Sequence, residues 1–197
     1  MGGAFNPPHI GHLVLAQEAA SQLGLDRVLL VPSGRAPHKR IDPEPGAELR
    51  LEMARLAAAG DDLLEADPIE VEREGPSYTF RTLELLRDRR PDDELTFLMG
   101  ADVAAHLDEW REPARVIELA RIGIAGRPGT DLDEAETTLE RLGASARVEW
   151  IGMPEIGVSS SSVRRRVAQR RPIRYLVPGA VAELIAERGL YMAAVAA

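Results

Sequence analysis

From Gly11 onward, Leu13, Ala16, Ala20 and Leu23 recur at helical spacing, which predicts an amphipathic helix. Arg27 to Val31 follows as a short apolar run closed by Pro32, the pattern of a buried parallel strand. Leu49, Met53, Leu56 and Ala57 mark a second helix that stops at Gly60, and Ile69-Glu70-Val71-Glu72 alternates like a partly exposed strand. A helix is predicted from about Thr79 to Arg90, ended by Pro91, and Leu95 to Met99 gives the next buried strand. Val116 and Ile117 sit on a further helix, and Ile122 to Ala125 reads as a strand. Asp131 to Leu142 is a helix closed by Gly143, and Arg147 to Ile151 is a strand in which Trp150 reads as a packing residue. Ser159 and Ser160 can cap a helix running to about Arg170. Pro178 opens a last helix with Val181, Leu184 and Ile185 on one face and Gly189 at its end. Alternation of this kind predicts an α/β fold with a doubly wound, Rossmann-like parallel sheet and ligands at the carboxyl ends of its strands.

Composition narrows the picture. At 197 residues, 45% hydrophobic and 28% charged, the chain reads as one domain over 1–197, with a small C-terminal helical portion from about 160. It has no cysteine, so no disulfide staples the core. No apolar run reaches the ~20 residues of a membrane span and no secretory signal pattern is visible, so a cytoplasmic protein is expected. The net charge of −8 argues against a general nucleic-acid binder, and no membrane partner is implied. Positive charge is nevertheless clustered at Arg164, Arg165, Arg166, Arg170, Arg171 and Arg174, which suits a compact polyanion or a solvated face. Lys39 is the single lysine among 24 basic residues and lies beside His38 in a polar, proline-rich loop. The sequence leaves self-association into a homo-oligomer open.

The first twelve residues carry the sharpest chemistry. Gly2 and Gly3 let the backbone approach a bulky anion, Pro7 and Pro8 stiffen the loop, and His9 and His12 follow at the start of the first helix. Free N–H groups and the positive end of the helix dipole make that position a phosphate site. The same two histidines could be surface residues or metal ligands, but no cysteine or carboxylate between residues 1 and 17 completes a cage. His106 reads as a surface helix residue.

His9-Ile10-Gly11-His12 resembles the HxGH signature of the nucleotidylyltransferase superfamily, shared with class I aminoacyl-tRNA synthetases. The longer string GGAFNPPHIGH resembles bacterial nicotinate-nucleotide adenylyltransferases, whose usual form is close to GGTFDPxHxGH; Ala4 and Asn6 depart from it. Pro37-His38-Lys39, Ser77-Tyr78-Thr79 with Thr82-Leu83, Gly100-Ala101-Asp102 with Leu107 and Trp110, Val158 to Arg164, and Tyr175-Leu176-Val177-Pro178 with Leu190-Tyr191 resemble further motifs in family order. Arg81 stands where the family commonly has an acid, and Ser161 where it has threonine.

The resemblance implies adenylyl transfer from ATP to nicotinate mononucleotide, giving deamido-NAD and pyrophosphate, with Mg²⁺ carried by ATP and no protein-held metal. It assigns ATP to Gly3, Ala4, Phe5, His9, His12, Gly100, Asp102, Ser160 and Arg164. It assigns the mononucleotide to Lys39, Tyr78, Thr79 and Trp110, with Trp110 stacking on the pyridine ring. His9, His12, Lys39 and Arg164 would carry catalysis. The family has a short apolar strand before Gly-Gly, so the first strand is expected to be truncated here, with an internal start and Met1 as its last residue. Rival readings are a phosphopantetheine or nicotinamide mononucleotide adenylyltransferase, a cytidylyltransferase and a non-catalytic nucleotide-binding module. Ser77-Tyr78-Thr79, Trp110 and the YLVP ending speak against the phosphopantetheine and cytidylyl readings. A tRNA synthetase fragment is disfavoured by the absence of a KMSKS-like segment.

Overall fold

A computed structural model describes residues 1–36, 43–126 and 132–192. Every strand pairs in parallel, and the strands connect through helices. Strand β1 (Gly2–Gly3) pairs with β2 (Val28–Pro32), which pairs with β3 (Leu64–Ala66). Strand β4 (Thr96–Gly100) pairs with β5 (Arg121–Gly126), which pairs with β6 (Val148–Gly152). The result is two three-stranded parallel sheets that meet where β1 abuts β4; a Cβ built on Gly2 lies 3.7 Å from the Phe97 ring.

The expected Rossmann-like α/β architecture is therefore present, and β1 spans two residues. Its position differs by a residue or two: the strand is Gly2–Gly3 and does not end at Met1. Met1 flanks it, donating its terminal amino group to Leu29 O at 2.8 Å while its own carbonyl accepts from Val31 N–H at 3.0 Å.

Helices cover both faces. Helix α1 (Ile10–Leu23) turns Leu15, Ala16 and Ala19 onto Leu98, Ala125 and Ile151, and its alanines permit a close approach. On the opposite face, α3 (Thr79–Arg89), α4 (Ala101–Ala104), α5 (Pro113–Leu119) and α6 (Asp133–Arg141) bury Leu83, Ala104, Val116 and Leu139 against Ile122 and Ile124. Each such fully buried aliphatic side chain contributes about 1.5–3 kcal/mol of transfer free energy. Helix α2 (Ala47–Ala58) packs Ala54 and Ala58 on Leu30 and Phe5. Its other side, through Met53 and Ala57, meets Val163 of α7 (Ser160–Ala168) and Val181, Leu184 and Ile185 of α8 (Gly179–Glu187).

Two local expectations are corrected. Residues 69–72 form a turn, because the Asp67 carboxylate accepts from Ile69 N–H at 2.9 Å and Glu72 N–H bonds back to Pro68 O at 2.9 Å. The alternation there reflects Ile69 and Glu70 both turning inward from that turn. The strand lies earlier, at Leu64–Ala66, too short to show a period of two. Trp150 is 39% exposed on the edge strand β6, so it is not a packed core residue. His106 lies at the surface as expected, 3.4 Å from Glu109.

Candidate active site

The loop between β1 and α1 is held from several sides. Asn6 is almost fully buried; its Nδ2 donates to Pro43 O at 2.8 Å and its Oδ1 accepts from Tyr191 Oη at 2.6 Å. Burial pushes the Tyr191 phenol well above its usual range, so this hydroxyl remains a donor. Phe5 adopts a left-handed backbone (φ 47°) and drives its ring into the core, edge-on to His12 at 5.1 Å. Arg50, with no exposed side-chain surface, donates to Ala4 O at 3.0 Å, Gly34 O at 3.1 Å and Glu44 Oε1 at 3.0 Å. One buried guanidinium thus ties the loop after β1 to the loop after β2.

That loop delivers His9 as the N-cap of α1 and His12 one turn on. Their rings lie 3.8 Å apart between centroids, and His9 N–H donates to His12 Nδ1 at 3.1 Å. With Nδ1 accepting, the neutral His12 ring carries its proton on Nε2, a donor suited to an anionic oxygen. A second helix start arrives from far along the chain. Ser159 caps α7 with a reciprocal Ser159–Ser162 pair at 3.1 Å in both directions. Ser160 Oγ donates to Pro7 O at 2.8 Å and Arg164 Nη1 to Asn6 O at 2.8 Å. The N-termini of α1 and α7 therefore converge on one loop, and both present backbone N–H groups and a positive dipole end.

They border a cavity of about 550 Å³ at the carboxyl ends of β1 and β4, the point where the strand order reverses. One end is lined by Gly3, His9, Gly11, His12, Val158 and Ser159. Gly100 and Asp102 line it after β4. A Cβ on Gly100 would sit 2.5 Å from Asp102 Oδ1, so only glycine lets that carboxylate fold back over the strand end. The remaining wall holds Ser77, Tyr78, Thr79, Phe97, Trp110 and Arg111. Trp110 is half-buried and meets Phe97 edge-on at 5.9 Å.

This wall is braced by Glu70. Its carboxyl is buried, accepts from Thr82 Oγ1 at 2.7 Å and is hydrogen-bonded by Ser77. Ser77 Oγ in turn accepts from Gly34 N–H at 3.0 Å and Arg35 N–H at 3.3 Å. Gly34 packs so tightly on the Glu70 carbonyl that a Cβ there would collide with it. Burial raises the Glu70 carboxyl, more than the hydroxyls of Thr82 and Ser77 lower it.

Of the residues singled out from sequence, Gly3, His9, His12, Gly100, Asp102, Tyr78, Thr79 and Trp110 border this one cavity. Four others stand elsewhere. Ala4 and Phe5 are taken up by Arg50 and the core, while Ser160 and Arg164 hold the Asn6–Pro7 backbone from outside the lining. Lys39 falls within 37–42, outside the described residues. Sequence reasoning missed Arg50, Glu70 and Arg111, and read Ser159 as a helix cap without placing it in the cavity lining. Arg50 and Arg111 were hidden in an arginine-rich background; Glu70 was concealed by the mistaken strand.

The match to the cytidylyltransferase-like family model spans residues 1–166. A protein of Roseiflexus sp. (strain RS-1), named probable nicotinate-nucleotide adenylyltransferase, is 44% identical over 97% of this chain and 96% of its own. A Thermus thermophilus protein of the same name is 42% identical over 96% of each. The fold superposes on Plasmodium falciparum nicotinic acid mononucleotide adenylyltransferase complexed with NaAD, with TM-score 0.75, 16% identity and coverage of 96% of this chain and 94% of that one. The chain belongs to the cytidylyltransferase-like family. Within that family it groups with relatives that bear the name nicotinate-nucleotide adenylyltransferase.

Proposed function

We propose that the chain transfers the adenylyl group of ATP to nicotinate mononucleotide, releasing pyrophosphate and forming deamido-NAD for NAD biosynthesis. The observation that carries this reading is the convergence of two helix N-termini and the His9–His12 pair on a cavity whose other wall holds Tyr78, Thr79 and Trp110. The first part suits a triphosphate, and the second suits a flat ring with a carboxylate. Relatives over 40% identical and nearly full-length carry the name of this activity, which supports the assignment.

In the reaction, a phosphate oxygen of the mononucleotide attacks the α-phosphorus of ATP in line. The bond from the α-phosphorus to the bridging oxygen breaks, and pyrophosphate leaves with its electron pair. No protein nucleophile is required, so the work is positioning and charge stabilisation. In our reading His9 and His12 donate to the ATP phosphates, and the N–H groups at the starts of α1 and α7 hold the rest of the chain of phosphates. The Gly3 backbone lies against the nucleotide. Asp102, beside Gly100, accepts from the ribose hydroxyls. Arg164 and Ser160 fix the Asn6–Pro7 backbone that carries His9, Lys39 adds positive charge, and Mg²⁺ enters with ATP as part of the substrate. Trp110 stacks on the pyridine ring, and Tyr78 and Thr79 meet its carboxylate.

We further read residues 1–197 as one catalytic domain, with the portion from about 160 closing over α2. A cytoplasmic setting fits the substrates; among the described residues no helix is long and apolar enough to cross a membrane. The test follows ATP labelled at the α- or the γ-phosphate. Adenylyl transfer sends the α label into the dinucleotide and the γ label into pyrophosphate. An α label recovered in a released phosphate or diphosphate overturns the reading.

A further inference from the structure

The acid and amide forms of a pyridine mononucleotide have the same shape and differ by one negative charge. An aromatic platform such as Trp110 holds both rings alike, so preference between them must come from charge or hydrogen-bond donors near the ring substituent. The cavity wall beside Tyr78 and Thr79 holds two residues that act on that charge. Glu70 opposes a second carboxylate, although its Oε1 is engaged by the Thr82 hydroxyl at 2.7 Å.

Arg111 favours one. It follows Trp110 directly, lines the cavity, and sets its Cζ 5.8 Å from the centroid of the Tyr78 ring. Among the described lining residues it is the one with a guanidinium or ammonium side chain. Its charge is not neutralised locally, since no carboxylate among the described residues stands within 4.0 Å of it, whereas Arg115 on the next helix is paired with Glu84 and Glu118. The Tyr78 face orients this long side chain at the rim of the pocket.

We infer that Arg111 is a specificity-determining residue, which biases the cavity toward a carboxylate-bearing pyridine mononucleotide over its neutral amide. This rests on the adenylyl-transfer reading. The guanidinium acts at the ring substituent, away from the reacting phosphates, so it shapes recognition of the acceptor and leaves the chemistry of transfer to the other end of the site.

The experiment compares kcat/KM for nicotinate and nicotinamide mononucleotides in wild type, Arg111→Gln and Arg111→Lys, at low and high salt. A unit charge a few ångströms away at a partly exposed site is expected to separate the two substrates by about tenfold. The acid-to-amide ratio should therefore drop about tenfold in Arg111→Gln, through KM for the acid. Most of it should return in Arg111→Lys, and the wild-type ratio should shrink at high salt. Equal losses for both substrates would assign Arg111 a structural role through Tyr78 and overturn the inference, as would a ratio that does not move. A wild-type chain that adenylates neither mononucleotide would instead sink the underlying reading, and this inference with it.

Discussion

The phenolic hydroxyl of Tyr191 donates to Asn6 Oδ1 at 2.6 Å, joining positions 185 residues apart. The loop that carries His9 is thereby fastened by the last turn of the described chain, as well as by Pro43, Ser160 and Arg164. Tyr191→Phe strands a buried acceptor on Asn6 without changing shape. Loss of about 1–3 kcal/mol is expected, seen as a lower urea midpoint at constant m-value. An unshifted midpoint would show that the loop does not depend on this bond.

Arg50 should be more costly. Its guanidinium has no exposed surface and serves Ala4 O, Gly34 O and Glu44 together. Arg50→Lys cannot span all three, because an ammonium lacks the planar fork. Destabilisation on the order of 3 kcal/mol is predicted, with a raised KM for ATP in whatever folded protein remains. Thermal unfolding and steady-state kinetics read the two effects separately.

His12→Ala removes the ring whose Nδ1 accepts from His9 N–H at 3.1 Å. Turnover should fall by at least about 10²–10³-fold, the usual loss when a donor to developing charge is deleted. Far-UV circular dichroism should stay that of the folded protein, since the ring is only partly buried. An active variant would remove the phosphate role of the pair.

Gly100→Ala tests the other wall. The added methyl would stand 2.5 Å from Asp102 Oδ1 and must push that carboxylate off the strand end. The expected result is a several-fold higher KM for ATP and a smaller ATP-induced rise in melting temperature. Identical ATP kinetics would separate Asp102 from nucleotide binding.

Glu70 gives the stability a sign with pH. Burial raises its folded-state pKa above the ordinary 4.5, so the folded chain holds this proton to higher pH than the unfolded chain does. Its contribution is fully present below 4.5 and is lost as pH climbs through the raised value. Comparing wild type with Glu70→Gln isolates the carboxyl. The variant should lose the downward slope above 4.5, measured by denaturant unfolding across pH, and an unaltered slope would contradict the burial argument.

Much of this was legible in the chain itself. Long apolar runs such as Arg121–Gly126 and caps such as Ser159 report local physics, so the helices and the buried strands stood out. So did the two ends of the site, because the glycines and histidines of residues 2–12 and the Gly100–Asp102 turn are contiguous. What was hidden is long-range. Nothing local distinguishes Arg50 or Arg111 from the other arginines, and only the fold brings Tyr191 to Asn6. Ser160 looked like a phosphate ligand by its place in a motif, yet its hydroxyl is engaged with Pro7 O at 2.8 Å. The turn at 69–72 was misread because inward-facing residues in a turn can mimic the alternation of a strand.

The most direct measurement is pyrophosphate release from MgATP with nicotinate mononucleotide, nicotinamide mononucleotide or phosphopantetheine as the acceptor. Release that depends on the acceptor, fastest with nicotinate mononucleotide and absent with phosphopantetheine, is the predicted result. Release with phosphopantetheine, or with none of the three, would contradict adenylyl transfer to a nicotinate nucleotide.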